Sequence, residues 1–106
     1  MKPSTAITVF AWFLAGAIAL GQNPSAVLAS KARLDFEKVD AEPVPTIADT
    51  EICVQSNAAA APVSRPEERY AFYYRKGYCG LFSALLTGSS DSFQAAAKDF
   101  TETIAN

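Results

Sequence analysis

The sequence predicts an all-α protein: a small helical hairpin or three-helix array behind an N-terminal signal peptide. Three observations carry this. From residue 64 onward apolar residues recur at three- and four-residue steps. Ser, Thr and Gly stand where helices start and stop. The apolar run near Met1 has the flanks of an export signal.

Lys2 supplies a positive charge, and the 15 residues 6–20 then carry none. As a helix they reach only about 22 Å, and a stable span needs roughly 20 residues. Ala19, Leu20 and Gly21 fit a small-x-small cleavage site, with Gln22 as the new N-terminus; Val27, Leu28 and Ala29 form a second candidate. No cysteine follows closely enough for a lipoprotein anchor. The expectation is a signal peptide over 1–21 and a periplasmic or secreted product with no membrane attachment after cleavage. An uncleaved anchor is the competing reading. Cleavage leaves 85 residues and moves the net charge from −2 to −3, because Lys2 is lost.

Cys53 and Cys79 both lie behind the signal and would meet an oxidising compartment, where disulfides persist. Two cysteines allow one pairing. Closing a loop of 26 residues stabilises by about 3–4 kcal/mol in the chain-entropy model, comparable to the whole stability of a small domain.

Residues 22–45 read as a flexible, mostly extended linker, bracketed by Pro24, Pro43 and Pro45, with Leu34, Phe36 and Val39 able to pack lightly. The helical domain is then 46–106. Its first helix spans 46–60, capped by Thr46 or Asp49, with acidic Asp49 and Glu51 in the first turn. Ile47, Cys53 or Val54, and Ala58 mark its apolar stripe, and Pro62 ends it. The second helix spans 64–87. Ser64 and Glu67 have the spacing of a capping box. Tyr70, Tyr74, Tyr78, Leu81 and Leu85 form one apolar row; Cys79, Phe82 and Leu86 form an adjacent one. Gly88 stops the helix. The third helix spans 90–105, capped by Ser90, with Phe93, Ala96 or Ala97, Phe100 and Ile104 on one face. The short connection predicts an antiparallel hairpin.

Within this hairpin Tyr73 and Tyr74 precede Gly77, Gly88 makes the turn, and Ala96 and Phe100 supply a small residue and then an aromatic one. The stretch 66–105 resembles a single degenerate tetratricopeptide-type (TPR-like) unit. It departs from that pattern in spacing: Gly77 to Ala96 is 19 residues where the family has about 12. The resemblance implies an interaction role and a hairpin packed through Gly77, Gly80, Gly88, Ala96 and Phe100. Repeat units bury their apolar faces against neighbours. The neighbour is either the first helix with its disulfide, another chain, or further repeats of a longer protein of which this is the N-terminal fragment.

The chain has no His, 9 Lys+Arg and 11 Asp+Glu. It therefore offers no imidazole base or ligand, and its charge is the wrong sign for a phosphate-backbone binder. Glu67 and Glu68 are adjacent and point to different sides of a helix, so they make a poor acid–base pair. The acidic residues near Asp35 match no calcium loop. No catalytic, metal or cofactor site and no nucleic-acid partner are expected. Tyr70, Tyr73, Tyr74 and Tyr78 are the candidate interaction face, because tyrosine offers contact area at little entropic cost. The expectation is an exported, non-catalytic interaction module with a protein or peptide partner; a stand-alone, disulfide-stabilised structural or inhibitory protein is the alternative. N-terminal sequencing of the exported protein should begin at Gln22; an intact Met1 would refute cleavage.

Overall fold

A computed structural model of the chain describes residues 23–106, and the protein is all-α over this range. The predicted signal segment and its first cleavage site lie outside the described residues. Four helices follow in order: α1 (Pro24–Ala41), α2 (Ile47–Ala60), α3 (Arg69–Thr87) and α4 (Ser90–Ala105). Two single 3-10 turns, Ala61–Val63 and Pro66–Glu68, join α2 to α3.

The first helix corrects the sequence reading, which took residues 22–45 for an extended linker. Asn23 caps α1 by accepting from the Ala26 amide at 2.7 Å, and Pro24 sits at the start, where its missing N–H costs nothing. Lys31–Asp35 at 2.6 Å and Arg33–Glu37 at 3.7 Å are i,i+4 pairs on its exposed side, each worth only tenths of a kcal/mol. Its inner stripe is Leu28, Ala29, Ala32, Phe36 and Val39. This stripe is helical in period but weak in hydrophobicity, because two of its members are alanines. The eye is drawn instead to Leu34, which is exposed.

Helix α2 begins where Thr46 accepts from the Asp49 amide. Of the expected stripe of Ile47, Cys53 or Val54, and Ala58, Cys53 is buried while Ile47 and Ala58 are exposed. Ile52 is exposed as well, and Thr50, Cys53, Ser56, Asn57 and Ala60 point inward. The reason is its position between α1 and α3: small side chains let both neighbours approach. Each buried hydroxyl donates back to a carbonyl of its own helix, Thr50 to Ile47 at 2.7 Å and Ser56 to Cys53 at 3.2 Å, a local satisfaction open to short polar side chains. Asn57 Nδ2 donates across to the Ala32 carbonyl at 3.1 Å and along to that of Cys53 at 2.9 Å, so one amide ties α2 to α1.

The predicted start of the next helix is also corrected. The Ser64–Glu67 capping box does not form. Ser64 donates to the Ala61 carbonyl at 2.6 Å, and Arg69 spans the same turn, reaching Ala61 and Ser64 carbonyls at 3.0 and 2.7 Å. Pro66 holds Arg65 extended (ψ 145°), which a pre-proline residue favours, so the α-helix starts only at Arg69. Gly88 ends α3 at φ 70°, a conformation only glycine takes freely. The cap of α4 is Ser89, not Ser90; its hydroxyl accepts from the Ser92 amide at 3.2 Å.

Successive helices are antiparallel, and each packs chiefly on its sequence neighbours. Two apolar clusters bind the first three. Ala32, Ala60, Ala61 and Phe72 form one, with Leu28, Ala29 and Tyr73 against it; Val39, Cys53 and Cys79 form the other, with Phe36, Val54 and Tyr78. Cys53 and Cys79 are fully buried and bonded, with Cα atoms 6.1 Å apart. The bond closes 26 residues and is worth about 3–4 kcal/mol.

Helix α4 docks on α3 at its two interior glycines. A methyl group at Gly80 would meet Ala96 Cβ at 3.7 Å and Val54 Cγ2 at 3.9 Å, ordinary contacts, whereas at Gly77 it would meet the Phe100 ring at 3.0 Å. Only Gly77 is demanded by close approach. Gly80→Ala should therefore raise stability by about 1 kcal/mol through helix propensity. Gly77→Ala should lower it by about as much or more, because the ring must move. Urea melts of the two variants decide this, and equal shifts would contradict the packing.

Candidate functional site

The aromatic residues of α3 do not share one face. Successive helical residues turn by about 100°. Tyr73 accordingly lies about a quarter-turn around the helix from Tyr74 and packs against the Ala32–Phe72 cluster. Tyr70, Tyr74 and Tyr78 stay together on the outer side. Tyr70 and Tyr74 are 50% and 46% exposed. Tyr78 is half-buried between α1 and α3, edge-on to Phe36 with centroids 5.2 Å apart, and next to Phe82 at 5.1 Å. Tyr74 links this group to α4, its ring lying 6.3 Å from Tyr78 and 6.1 Å from Phe100. A continuous aromatic belt therefore crosses from α1 over α3 to α4.

Around it lies apolar surface that none of the described elements covers. On α3, Leu81 and Leu85 continue the row of Tyr70 and Tyr74; on α4, Phe93 and Ile104 continue the row of Phe100. Leu85 is 61% exposed and Ile104 is 87% exposed. None of these residues is charged. Of the four tyrosines expected to form an interaction face, Tyr73 packs inward; Leu81, Leu85, Phe93 and Ile104 are exposed together with Tyr70 and Tyr74. Their periodicity was visible in the sequence, but whether a periodic apolar row is core or surface depends on how many neighbours its helix has.

The opposite side of α3 borders a groove of about 290 Å³ with a mostly apolar lining. Its floor is Gly80, and α2 and α4 form the walls through Val54, Gln55, Ser92 and Ala96. Lys76 Nζ donates to Asp99 Oδ1 at 3.0 Å, and Asp99 is almost wholly enclosed. These two residues lie 23 apart in sequence, so no local pattern announced them. Their charges satisfy each other, and truncating one partner would strand the other in a poorly solvated place. The cysteines are fully used in their disulfide, and among the described residues none is free. Among the same residues no three His, Cys, Asp or Glu side chains gather as a metal site, and no helix is long and apolar enough to cross a membrane.

No protein-family model, curated protein or solved structure matches this chain.

One titratable group reports on the aromatic belt directly. The Tyr78 hydroxyl donates to Asp40 Oδ1 at 2.9 Å. That hydrogen bond first, then burial, then the negative charge of Asp40 push the phenol above its ordinary value near 10. The fold thus favours the neutral phenol. Its contribution to stability is present below pH 10 and is lost as the pH rises through the raised value. In a phenolate absorbance titration Tyr78 should ionise in a late phase, above the ordinary phenol value. Tyr78→Phe should remove that late phase and flatten the alkaline loss of stability; an unchanged titration would show that the Asp40 contact is not made in solution.

Proposed function

We propose that the protein is an exported, non-catalytic interaction module whose working surface is the aromatic face of α3 and α4. The observation that carries this is the exposed apolar surface itself: six large residues on two helices, without a charge, on a fold that is otherwise stapled shut. Soluble monomers rarely leave contiguous apolar patches beyond a few hundred Å² in water, and larger ones mark contact with another protein. The occupant that suits a long, shallow, charge-free face is a helix presenting an apolar stripe. The TPR-like hairpin belongs to the same reading: such units complete themselves against a neighbouring helix, and among the described residues α4 packs chiefly on α3.

Export is supported from two directions. A buried disulfide fits an oxidising compartment. The geometry of α1 also favours the first cleavage site over the second. Cleavage before Gln22 leaves the Asn23 cap intact, whereas cleavage after Ala29 would remove the cap together with Leu28 and Ala29, which pack on the core. A non-catalytic role agrees with a chain without histidine whose two thiols are oxidised.

The test is the size of the native exported species. It should elute as an assembly larger than one chain. Leu85→Glu combined with Phe93→Glu should release it as a single chain with unchanged helical circular dichroism, since a central contact residue contributes about 2 kcal/mol or more to binding. A wild-type protein that always elutes as one chain would overturn the proposal.

A further inference from the structure

We infer that the occupant of this face is a second copy of the same chain, the two α3–α4 hairpins packing apolar side to apolar side about a two-fold axis. This rests on the interaction reading above and adds the identity of the partner.

The α3 row is symmetric about its own middle. Tyr70 and Tyr74 lie as far before the Gly77–Tyr78 step as Leu85 and Leu81 lie after it. Two α3 helices crossing antiparallel at that step would set Tyr70 against the partner's Leu85 and Tyr74 against the partner's Leu81, each bulky aromatic meeting a smaller aliphatic. Isologous contact requires such self-complementarity, and two-fold dimers are the commonest soluble oligomers.

Charge agrees. The rows Tyr70, Tyr74, Leu81, Leu85 on α3 and Phe93, Phe100, Ile104 on α4 carry no charge, so a copy facing itself meets no like-charge repulsion. The charged side chains nearest the face, Arg33, Glu67, Glu68 and Arg75, flank Tyr70 at its edge. The area is also of the right order. Tyr70, Tyr74, Leu81, Leu85, Phe93 and Ile104 are between 36% and 87% exposed. With large side chains burying about 150–250 Å² each, they present on the order of 500 Å² of apolar surface. A standard interface takes about 800 Å² from each partner, apolar centre and polar rim together. Finally, two hairpins supply four helices, the number that closes around a common core in a bundle. In that arrangement α4 acquires the second neighbour that α2 already has.

The processed, exported protein tests this in sedimentation equilibrium over about 1–100 μM, the range in which an interface of this size associates. The mass should approach twice that of one chain. Leu85→Lys and Tyr70→Glu should each weaken association by at least roughly 30-fold, with helical circular dichroism unchanged. The double variant Tyr70→Glu/Leu85→Lys should recover much of the dimer, because the two new charges face each other across the two-fold; a purely structural effect on the fold would give no such rescue. A benzophenone side chain placed at position 85 separates this inference from the reading beneath it. Adducts of two identical chains support the dimer. Adducts only to a different protein, with a monomer in sedimentation, overturn the dimer and leave the interaction reading standing. A monomer that yields no adduct overturns both.

Discussion

The bond between Cys53 and Cys79 holds the Cα atoms of α2 and α3 at 6.1 Å, and the packing of the other helices is built around that spacing. That distance is ordinary for a disulfide; what the tie fixes is which residues of α2 and α3 face each other, and the side chains packed around it are mostly short. The interior is chiefly Ala32, Ala60, Ala61, Ala84, Ala96, Thr50, Asn57 and the cystine, with Val39 and Phe72 as the large apolar exceptions. Such a core gains little from hydrophobic transfer, because an alanine methyl removes little area from water. A domain of this length buries only a modest share of its surface in any case. The covalent tie offsets that shortfall by restricting the unfolded chain.

A core of small residues has a consequence outside it. The bulky side chains that would ordinarily fill an interior are displaced to the rim and beyond, where Phe36, Tyr74, Tyr78, Phe82 and Phe100 make a belt across three helices. Inside that belt Arg75 is held over the rings of Phe36 and Phe72 at 5.9 and 5.4 Å, a cation–π arrangement that seals the α1–α3 junction without a carboxylate partner. The two sides of α3 thereby differ in character. One is rich in aromatic and aliphatic side chains; the other borders the groove over Gly80, where Lys76 and Asp99 neutralise each other.

Much of this was written locally. The all-α class, the Thr46 cap, the left-handed Gly88 stop and the pairing of the two cysteines follow from short-range rules: a side-chain oxygen reaches amides three residues on, only glycine enters positive φ without strain, and two cysteines have one way to pair. Where those rules met competition they gave way. Ser64 had the spacing of a capping box, but the prolines at 62 and 66 fold the chain into 3-10 turns and Ser64 bonds to Ala61 instead. Residues 22–45 were missed as a helix because α1 buries alanines and one valine rather than a bold apolar stripe. A stripe that faint is helical only because α2 lies alongside to bury it and Asn57 reaches over to its backbone.

The candidate site divides in the same way. Residue order alone set the row Tyr70, Tyr74, Leu81, Leu85 and the row Phe93, Phe100, Ile104, since helical periodicity depends on nothing but sequence. Which rows face water was decided by tertiary structure. Burial of a helix face requires a neighbour, and the number of neighbours follows from where the chain turns and which helices a disulfide ties together. Cys79 and Tyr78 are adjacent residues of one helix; the first is buried because α2 is fastened there, and the second stays at the rim because only the edge of α1 reaches it.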